Sequence, residues 1–287
     1  MKDISEADIK NNIPLASARH DGHKSTFRVG DVEVGGGRLV VIAGPCAVEN
    51  DKQVLEIAHA VKAAGATMLR GGAYKPLTFP YRNEKMFELG EEGLRYLRQA
   101  GDAAGLPVVT EVMDVRLVDT VARYADVLQI GTRNMQNFPL LQEVGKSGKP
   151  VLLKRGFGAS LRDWLGAAEY VLHNGNPRVI LCERGVAAPH THAVTSRFIV
   201  DLQVIPAVRE YSHLPVIVDP SHATFRRAYV APIARAAIAV GADGIIIDVH
   251  PTPEQAAVDP LQALNYDAFG ALMNDLRAVG AVLGRKL

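Results

Sequence analysis

Short apolar runs alternate with longer amphipathic stretches along most of the chain. The runs are rich in Val, Ile and Leu and nearly continuous in hydrophobicity, which is typical of parallel strands buried on both faces. Between them, apolar residues recur at spacings of three and four, as in residues 53–61 and 231–240, and this period predicts helices. Eight apolar runs follow one another, at residues 39–46, 67–74, 107–114, 127–131, 150–156, 178–185, 215–222 and 244–250.

Eight strands alternating with helices predict the α/β class and a single (β/α)8 barrel, the TIM barrel. The alternative is an open Rossmann-type sheet. It lacks support because no G-x-G-x-x-G motif follows any run, and the triple glycine at residues 35–37 precedes the first one. Gly65, Gly105 and Gly241 follow helical patterns, where left-handed C-terminal caps are expected.

The segment before the barrel has a different pattern. Residues 1–26 are polar and predict a loose arm with a short helix near residues 5–11. Apolar residues then alternate over residues 27–34 and are interrupted at Gly30 and Asp31, which predicts a β-hairpin. We therefore expect an arm at 1–26, a hairpin capping the barrel at 27–38, and a catalytic barrel at 39–287.

Composition narrows the class of protein. The chain has 287 residues, 48% of them hydrophobic, and a formal net charge of +1, as in an ordinary globular enzyme. Near-neutral charge argues against nucleic-acid binding, because no basic excess is available to displace the counterions of phosphates. Two cysteines, Cys46 and Cys182, cannot form a disulfide framework, which favours a reducing compartment. Neither a signal peptide nor an apolar run of the ~20 residues that cross a bilayer is present, so we expect a cytoplasmic protein without a membrane partner.

Reactive side chains follow the predicted strands at their C-terminal ends, where barrels of this kind carry their active sites. Six of them are cations that would converge on the barrel mouth: Arg70, Lys75, Arg133, Lys154, Arg155 and Arg184. Because converging cations repel one another, a substrate with phosphate and carboxylate groups is their natural partner. For any one of them, a salt bridge at the rim to Glu49, Glu111 or Glu183 is an equally good interpretation.

A second set at the same strand ends combines a thiol, an imidazole and carboxylates. It comprises Cys46, His222, Asp248 and Asp259, with Glu111 and His250 nearby. Such a mixed set suits a divalent Zn, Fe, Mn or Co ion. The alternatives are that Cys46 is a buried apolar residue and His222 a hydrogen-bonded core histidine, because no C-x-x-C pair supports the set. Cys182 is interpreted as structural.

Six segments then carry a specific resemblance. They are residues 43–49 (AGPCAVE), 69–76 (LRGGAYKP), 128–134 (LQIGTRN), 152–156 (LLKRG), 180–185 (ILCERG) and 218–224 (VDPSHAT). In this order they resemble the microbial 3-deoxy-heptulosonate 7-phosphate (DAHP) synthase family, of the type with a bare barrel. The resemblance covers about residues 38–269 and extends to the superfamily that includes the 3-deoxy-octulosonate 8-phosphate synthases.

The resemblance implies condensation of phosphoenolpyruvate with erythrose 4-phosphate, the first step of the shikimate pathway and of aromatic amino acid biosynthesis. It implies that substrate is bound by Arg70, Lys75, Thr78, Arg133, Lys154 and Arg184. It also implies that Lys75, Cys46 and His222 are catalytic. The implied ligands of a divalent metal ion (Mn, Fe, Zn or Co) are Cys46, His222, Asp248 and Asp259. A homodimer or homotetramer is expected.

The chain departs from the family pattern on the aldehyde side of the site. The family segment K-P-R-T-S is K-P-L-T-F at residues 75–79, so Leu77 replaces an arginine that contacts the aldose phosphate. The segments at 81–90 and 187–192 are altered and longer, and Phe225 replaces a glycine. Arg82, Lys85, Arg226 or Arg227 are the candidates to supply the missing cation. A metal-ligand glutamate of the family is Asp248 here.

These departures leave several functions open. The favoured one is DAHP synthase, and the alternative is a diverged paralogue that condenses phosphoenolpyruvate with a different aldehyde in specialised metabolism. A 3-deoxy-octulosonate 8-phosphate synthase ranks lower, because its K-A-N-R-S-S segment is absent. A catalytically dead binding barrel is a third class, and the retained Cys46, His222 and cations argue against it.

Overall fold

The computed structural model describes residues 4–18, 22–76, 88–188 and 198–287. At the N-terminus, helix α1 (Glu6–Asn11) begins after Ser5, whose side chain accepts a hydrogen bond from the Asp8 backbone N–H. The Asp8 side chain in turn accepts from the Ser5 backbone, which completes a capping box. The short helix predicted in this segment is therefore confirmed.

The arm packs against the body of the protein. Ile4, Ile13 and Ala16 are buried in the main hydrophobic cluster. The Glu169 carboxylate accepts hydrogen bonds from the backbone N–H groups of Leu15 and Ala16. The expectation of a loose arm was therefore wrong for residues 4–18. Ile4, Ile13 and Ala16 anchor the segment, and the polar residues around them hide this contribution in the sequence.

The predicted hairpin is present. It consists of the antiparallel strands β1 (Phe27–Val29) and β2 (Val32–Val34). Val29 and Val34 are buried among the side chains that fill the barrel interior. Gly30 lies against Pro107, the residue before a barrel strand, so the hairpin covers the N-terminal end of the barrel.

Eight parallel strands close into the barrel. They are β3 (Val40–Gly44), β4 (Met68–Arg70), β5 (Val108–Glu111), β6 (Val127–Ile130), β7 (Val151–Lys154), β8 (Val179–Glu183), β9 (Val216–Val218) and β10 (Gly244–Asp248). Each lies inside one of the predicted apolar runs. Because β10 pairs with both β3 and β9, the sheet has no free edge. The predicted (β/α)8 barrel is confirmed.

Helices surround the barrel. In chain order they are α2 (Asp51–Ala64), α3 (Glu91–Ala104), α4 (Val118–Tyr124), α5 (Phe138–Lys146), α6 (Leu161–His173), α7 (Val204–Tyr211), α8 (Pro220–Thr224), α9 (Arg227–Ala239) and α10 (Tyr266–Val282). Gly65 and Gly105 end α2 and α3 in the left-handed conformation, as the sequence predicts. Among the described residues, no helix is both long enough and apolar enough to span a membrane.

Candidate active site

The polar mouth of the barrel follows from the alternation of side chains along each strand. Apolar residues fill the interior at Met68, Val109, Leu152, Ile217 and Ile246. In a strand, residues two apart share a face, so the next inward position on each strand lies closer to its C-terminal end. Those next positions are Arg70, Glu111, Lys154, Asp219 and Asp248. The apolar interior therefore ends in a ring of charged groups.

A cavity of about 290 Å³ opens at this end of the barrel. Five of the six predicted cations line it, namely Arg70, Lys75, Arg133, Lys154 and Arg184. His222, Asp259 and Glu111 line it as well. A cavity with this excess of cationic side chains attracts a multiply charged anion, as the sequence predicts.

Arg155 is the sixth predicted cation, and its expected place in the mouth was wrong. Its guanidinium binds two carboxylates, with Nη1 3.0 Å from Glu183 and 2.8 Å from Asp201, and it lies over the Trp164 ring of α6. Arg155 follows Lys154 directly, so it points to the opposite face of the sheet, toward the helices. The buried Glu183 that it pairs with also lies on this outer side.

Two of the mouth cations are held by buried carboxylates. Lys154 Nζ lies 2.5 Å from Asp219, and the Arg70 guanidinium forms an ion pair with Asp248. All four side chains are almost fully buried. These pairs offset part of the repulsion between converging cations, and they fix the cationic groups before any ligand arrives.

The four predicted metal ligands lie together. Cys46, His222, Asp248 and Asp259 each offer one ligand atom, and these atoms all lie within 4.8 Å of one another. The His222 Nε2 atom is 3.7 Å from Cys46 Sγ, 3.6 Å from Asp248 and 3.8 Å from Asp259. One thiol, one imidazole and two carboxylates around a common centre form a donor set that suits a borderline divalent ion.

The protonation of His222 agrees with a role as a ligand. Its Nδ1 atom lies 2.8 Å from the Asp219 carboxylate, which leaves Nε2 facing the other three ligand groups. Burial lowers the pKa of His222 to about 4, although the neighbouring Asp219 opposes this. The imidazole is therefore neutral near pH 7, which is the form that binds metal.

Lys75 completes this part of the site. Its ammonium group donates hydrogen bonds to the Cys46 carbonyl at 2.9 Å and to Cys46 Sγ at 3.2 Å. Burial raises the pKa of the Cys46 thiol, while Lys75 acts in the opposite direction. Coordination to a cation deprotonates a thiol, so this buried cysteine beside three other donors fits a metal ligand.

The loop that carries Asp259 is held from outside the cavity. Asp259 has a left-handed backbone with φ 55°. The Arg227 side chain of α9 donates to the carbonyls of Ala263 at 2.7 Å and Pro260 at 3.1 Å. On the inner side, Gln262 donates to Asp248 at 2.5 Å, which links the loop to another of the four ligand groups.

The structure separates other predicted residues from the ligand group. Glu111 accepts a hydrogen bond from Gln129, and His250 lies 2.8 Å from Gln53 Nε2, so these residues have their own partners. Arg227 is committed to the Asp259 loop. Thr78 lies outside the described residues, as do Leu77, Arg82 and Lys85 of the aldehyde-side predictions and most of the altered segments at 81–90 and 187–192.

Sequence reasoning did not assign roles to three residues that organise the site: Asp219, Gln262 and Phe157. For Asp219 a signal existed, because Asp before Pro at the end of a strand is a strong helix N-cap and His222 follows three residues later. Gln262 lies in an irregular loop, and no periodicity of the sequence there predicts that its side chain faces the site. Phe157 looks like any apolar loop residue in the sequence.

A (β/α)8 barrel whose mouth joins buried cations to a thiol, imidazole and carboxylate group defines a TIM-barrel enzyme that acts on an anionic substrate. The chain belongs to the DAHP synthetase I family, whose model matches residues 12–280. The resemblance seen in the sequence is thereby confirmed. The protein is a phosphoenolpyruvate-dependent synthase that forms a carbon–carbon bond.

The chain is similar to named relatives over almost its whole length. It is 45% identical to phospho-2-dehydro-3-deoxyheptonate aldolase of Thermotoga maritima, over 95% of this chain and 79% of that protein. It is 32% identical to 2-dehydro-3-deoxyphosphooctonate aldolase of Syntrophotalea carbinolica, over 90% of this chain and 97% of that protein. A truncated 3-deoxy-D-arabino-heptulosonate 7-phosphate synthase from Thermotoga maritima superposes with a TM-score of 0.89 at 43% identity, covering 96% and 99% of the two chains.

Proposed function

We propose that the protein condenses phosphoenolpyruvate with erythrose 4-phosphate in the presence of a divalent metal ion, giving DAHP and inorganic phosphate. The observation that carries this proposal is the shared cavity. One opening brings five cations next to the group formed by Cys46, His222, Asp248 and Asp259. The cations suit an enol phosphate with a carboxylate, and the neighbouring donor group suits a divalent metal ion.

The cationic side of the cavity binds phosphoenolpyruvate in this proposal. Lys154 and Arg184 are almost fully buried and face the cavity, so their contacts with an anion gain strength from the low local dielectric. Guanidinium groups such as Arg133 bind phosphate or carboxylate with two parallel hydrogen bonds. Because Lys154 is fixed by Asp219 beforehand, little reorganisation accompanies the development of charge on the departing phosphate.

The ligand group lies beside this anion site and would hold the metal through Cys46, His222, Asp248 and Asp259. A divalent ion held there would supply a Lewis acid for the aldehyde carbonyl. Asp219 keeps the His222 Nε2 atom directed at the group. Lys75 faces the same centre from the Cys46 side.

The bonds and protons of the reaction balance with these residues. The C3 carbon of phosphoenolpyruvate forms a bond to the aldehyde carbon, and the aldehyde oxygen takes a proton, which Lys75 is placed to give. Water then adds to C2, and the proton that it releases restores Lys75. The C2–O bond to phosphate breaks, the proton of the new C2 hydroxyl leaves with the phosphate, and C2 becomes a ketone. The cations of the cavity stabilise the phosphate as it leaves.

The departures from the family pattern bear on the identity of the aldehyde. Leu77 lies outside the described residues, and Phe225 lines a separate groove with Pro260 and Leu261. Phe225 is not among the residues that line the mouth cavity, so its replacement of glycine does not narrow that cavity. The alternative acceptor, another aldehyde in a specialised pathway, therefore rests on Leu77 and the altered loops.

Release of phosphate from phosphoenolpyruvate tests the proposal. Metal-loaded protein is incubated with a panel of aldehydes that includes erythrose 4-phosphate, arabinose 5-phosphate and unphosphorylated aldoses. We expect release that requires an aldehyde, is fastest with erythrose 4-phosphate, and is lost in Cys46→Ala and in chelator-treated protein. Faster release with another aldehyde identifies the diverged paralogue, and no release with any aldehyde indicates a binding barrel.

Binding measurements test the cationic side of the cavity. Lys154→Ala and Arg184→Ala remove cations of the cavity, so calorimetry should show much weaker binding of phosphoenolpyruvate. Arg235→Ala is the control, because Arg235 pairs with Asp275 on the outer helices. Unchanged affinity in both cavity variants would contradict their assigned role.

A further inference from the structure

Two phenylalanine rings lie beside the arginines of the mouth cavity. Phe157 follows β7 and Phe198 precedes α7, and their rings stack with centroids 4.9 Å apart at an interplanar angle of 12°. The Arg184 guanidinium carbon lies 4.3 Å from the Phe198 centroid and 4.9 Å from the Phe157 centroid. Arg133 approaches Phe157 as well, at 5.8 Å. The three distances from a guanidinium carbon to a ring centroid fall within the range of cation–π attraction.

Backbone contacts hold the two rings in place. The carbonyl of Phe157 accepts a hydrogen bond from Ala187 N at 2.8 Å, and Phe198 N donates to the carbonyl of Ala223 at 3.1 Å. The Arg184 Nη2 atom donates to the carbonyl of His222, the neighbour of Ala223, at 3.2 Å. The loops after β7, β8 and β9 therefore join around a single guanidinium.

We infer that Phe157 and Phe198 are positioning residues that orient Arg184, and through Phe157 also Arg133, for the anionic group of phosphoenolpyruvate. An aromatic face attracts a guanidinium through its ring quadrupole and adds no negative charge. The two rings therefore hold the guanidinium without themselves neutralising its charge. Arg155 shows the contrasting arrangement, since two carboxylates neutralise it on the outer face of the sheet. This inference rests on the proposed binding of phosphoenolpyruvate by Arg184.

The test compares a variant that lacks the ring with one that keeps it. Phe198→Leu removes the aromatic face and retains apolar bulk, whereas Phe198→Tyr retains the face. We expect Phe198→Leu to bind phosphoenolpyruvate about tenfold more weakly by calorimetry, the size expected for a partly buried cation–π contact. Phe198→Tyr should bind within about twofold of the unmodified protein. In turnover, KM for phosphoenolpyruvate should rise in Phe198→Leu while kcat changes little.

A double-mutant cycle shows whether the ring acts through Arg184. Phe198→Leu should cause no further loss of binding in the Arg184→Ala background, because the group that it orients is then absent. Phe157→Leu serves as the second variant if Phe198→Leu does not fold. Phe138→Leu is the matched control. Phe138 stacks on Tyr170, with ring centroids 4.6 Å apart, and both residues line a different pocket from the mouth cavity.

The outcomes separate this inference from the proposed function. If the unmodified protein binds no phosphoenolpyruvate, or Arg184→Ala binds it normally, the assignment of Arg184 fails. If Arg184→Ala loses binding but Phe198→Leu and Phe157→Leu do not, the positioning role alone is overturned. Equal losses in Phe198→Leu and Phe198→Tyr, or a similar loss in Phe138→Leu, would also overturn it.

Discussion

The Asp219 carboxylate contacts His222 twice, since it lies 2.8 Å from Nδ1 and accepts a hydrogen bond from the His222 backbone N–H at 2.9 Å. Lys154 Nζ binds the same carboxylate at 2.5 Å, through the oxygen that also faces His222 Nδ1. Although desolvation of Asp219 raises its pKa, its interactions with His222, including two hydrogen bonds, and the charge of Lys154 outweigh this effect and hold the pKa well below its usual range. One buried anion thus links the ligand group to the cations of the cavity.

Asp219→Asn should weaken metal binding. The amide keeps the shape of the carboxylate but loses the charge that orients His222, and loss of such a partner costs about 10- to 100-fold in metal affinity. Competition with a chromophoric chelator measures this. Asp163→Asn, a change to the cap of α6, is the control. Metal affinity within twofold of the unmodified protein would show that Asp219 does not orient His222.

The stability of metal-free protein should depend on pH through His222. Its pKa falls from 6.5 to about 4 on folding, so the unfolded chain binds more protons between these values. Stability from this group is present above about pH 6.5 and is lost as pH falls toward 4. In the presence of a chelator, the free energy of unfolding in urea should therefore depend more steeply on pH in this window for the unmodified protein than for His222→Gln. Parallel curves would contradict the expectation.

Arg227→Gln should loosen the Asp259 loop. It removes the donors to Pro260 and Ala263 and the ion pair with Glu254. We expect weaker metal binding and faster proteolytic cleavage of the loop in the metal-free protein. Arg235→Gln removes an ion pair of similar length from the same helix and should change neither. Equal rates of loop cleavage in the two variants would show that Arg227 does not hold the Asp259 loop in place.

Phe225 ends α8 with φ 57°, in the left-handed region that disfavours residues with a Cβ atom. Phe225→Gly and Phe225→Ala both remove the ring. Only the glycine variant also removes the Cβ atom that strains the left-handed backbone. We expect the glycine variant to be more stable than the alanine variant by about 1 kcal/mol in urea unfolding. An alanine variant as stable as the glycine variant would show that the backbone at this position carries no strain.

The periodicity of the sequence was enough to predict the barrel, because eight buried parallel strands separated by amphipathic helices have few ways to close. The same alternation explains the outcome at Lys154 and Arg155. Neighbouring residues of a strand face opposite sides of the sheet, so only Lys154 reaches the cavity. The position of each residue relative to the buried Leu152 predicts which of the two faces the cavity. The presence of a charge at the end of the strand does not.

Other features depend on contacts that no local pattern encodes. Cys46 and Asp259 lie 213 positions apart, and only the closed barrel brings the Cys46 sulfur within 3.3 Å of the Asp259 carboxylate. The packing of Ile4 and Ile13 depends likewise on a surface built from distant parts of the chain. For these contacts, residue type gave the chemistry and only the assembled fold gave the geometry.

The β1–β2 hairpin also determines from which side ligands reach the cavity. With Val29 and Val34 filling the lower end of the barrel, the cavity receives its ligands from the opposite end. Lys154 and Arg70 are almost fully buried and line this cavity, so a ligand reaches them only through the mouth of the barrel.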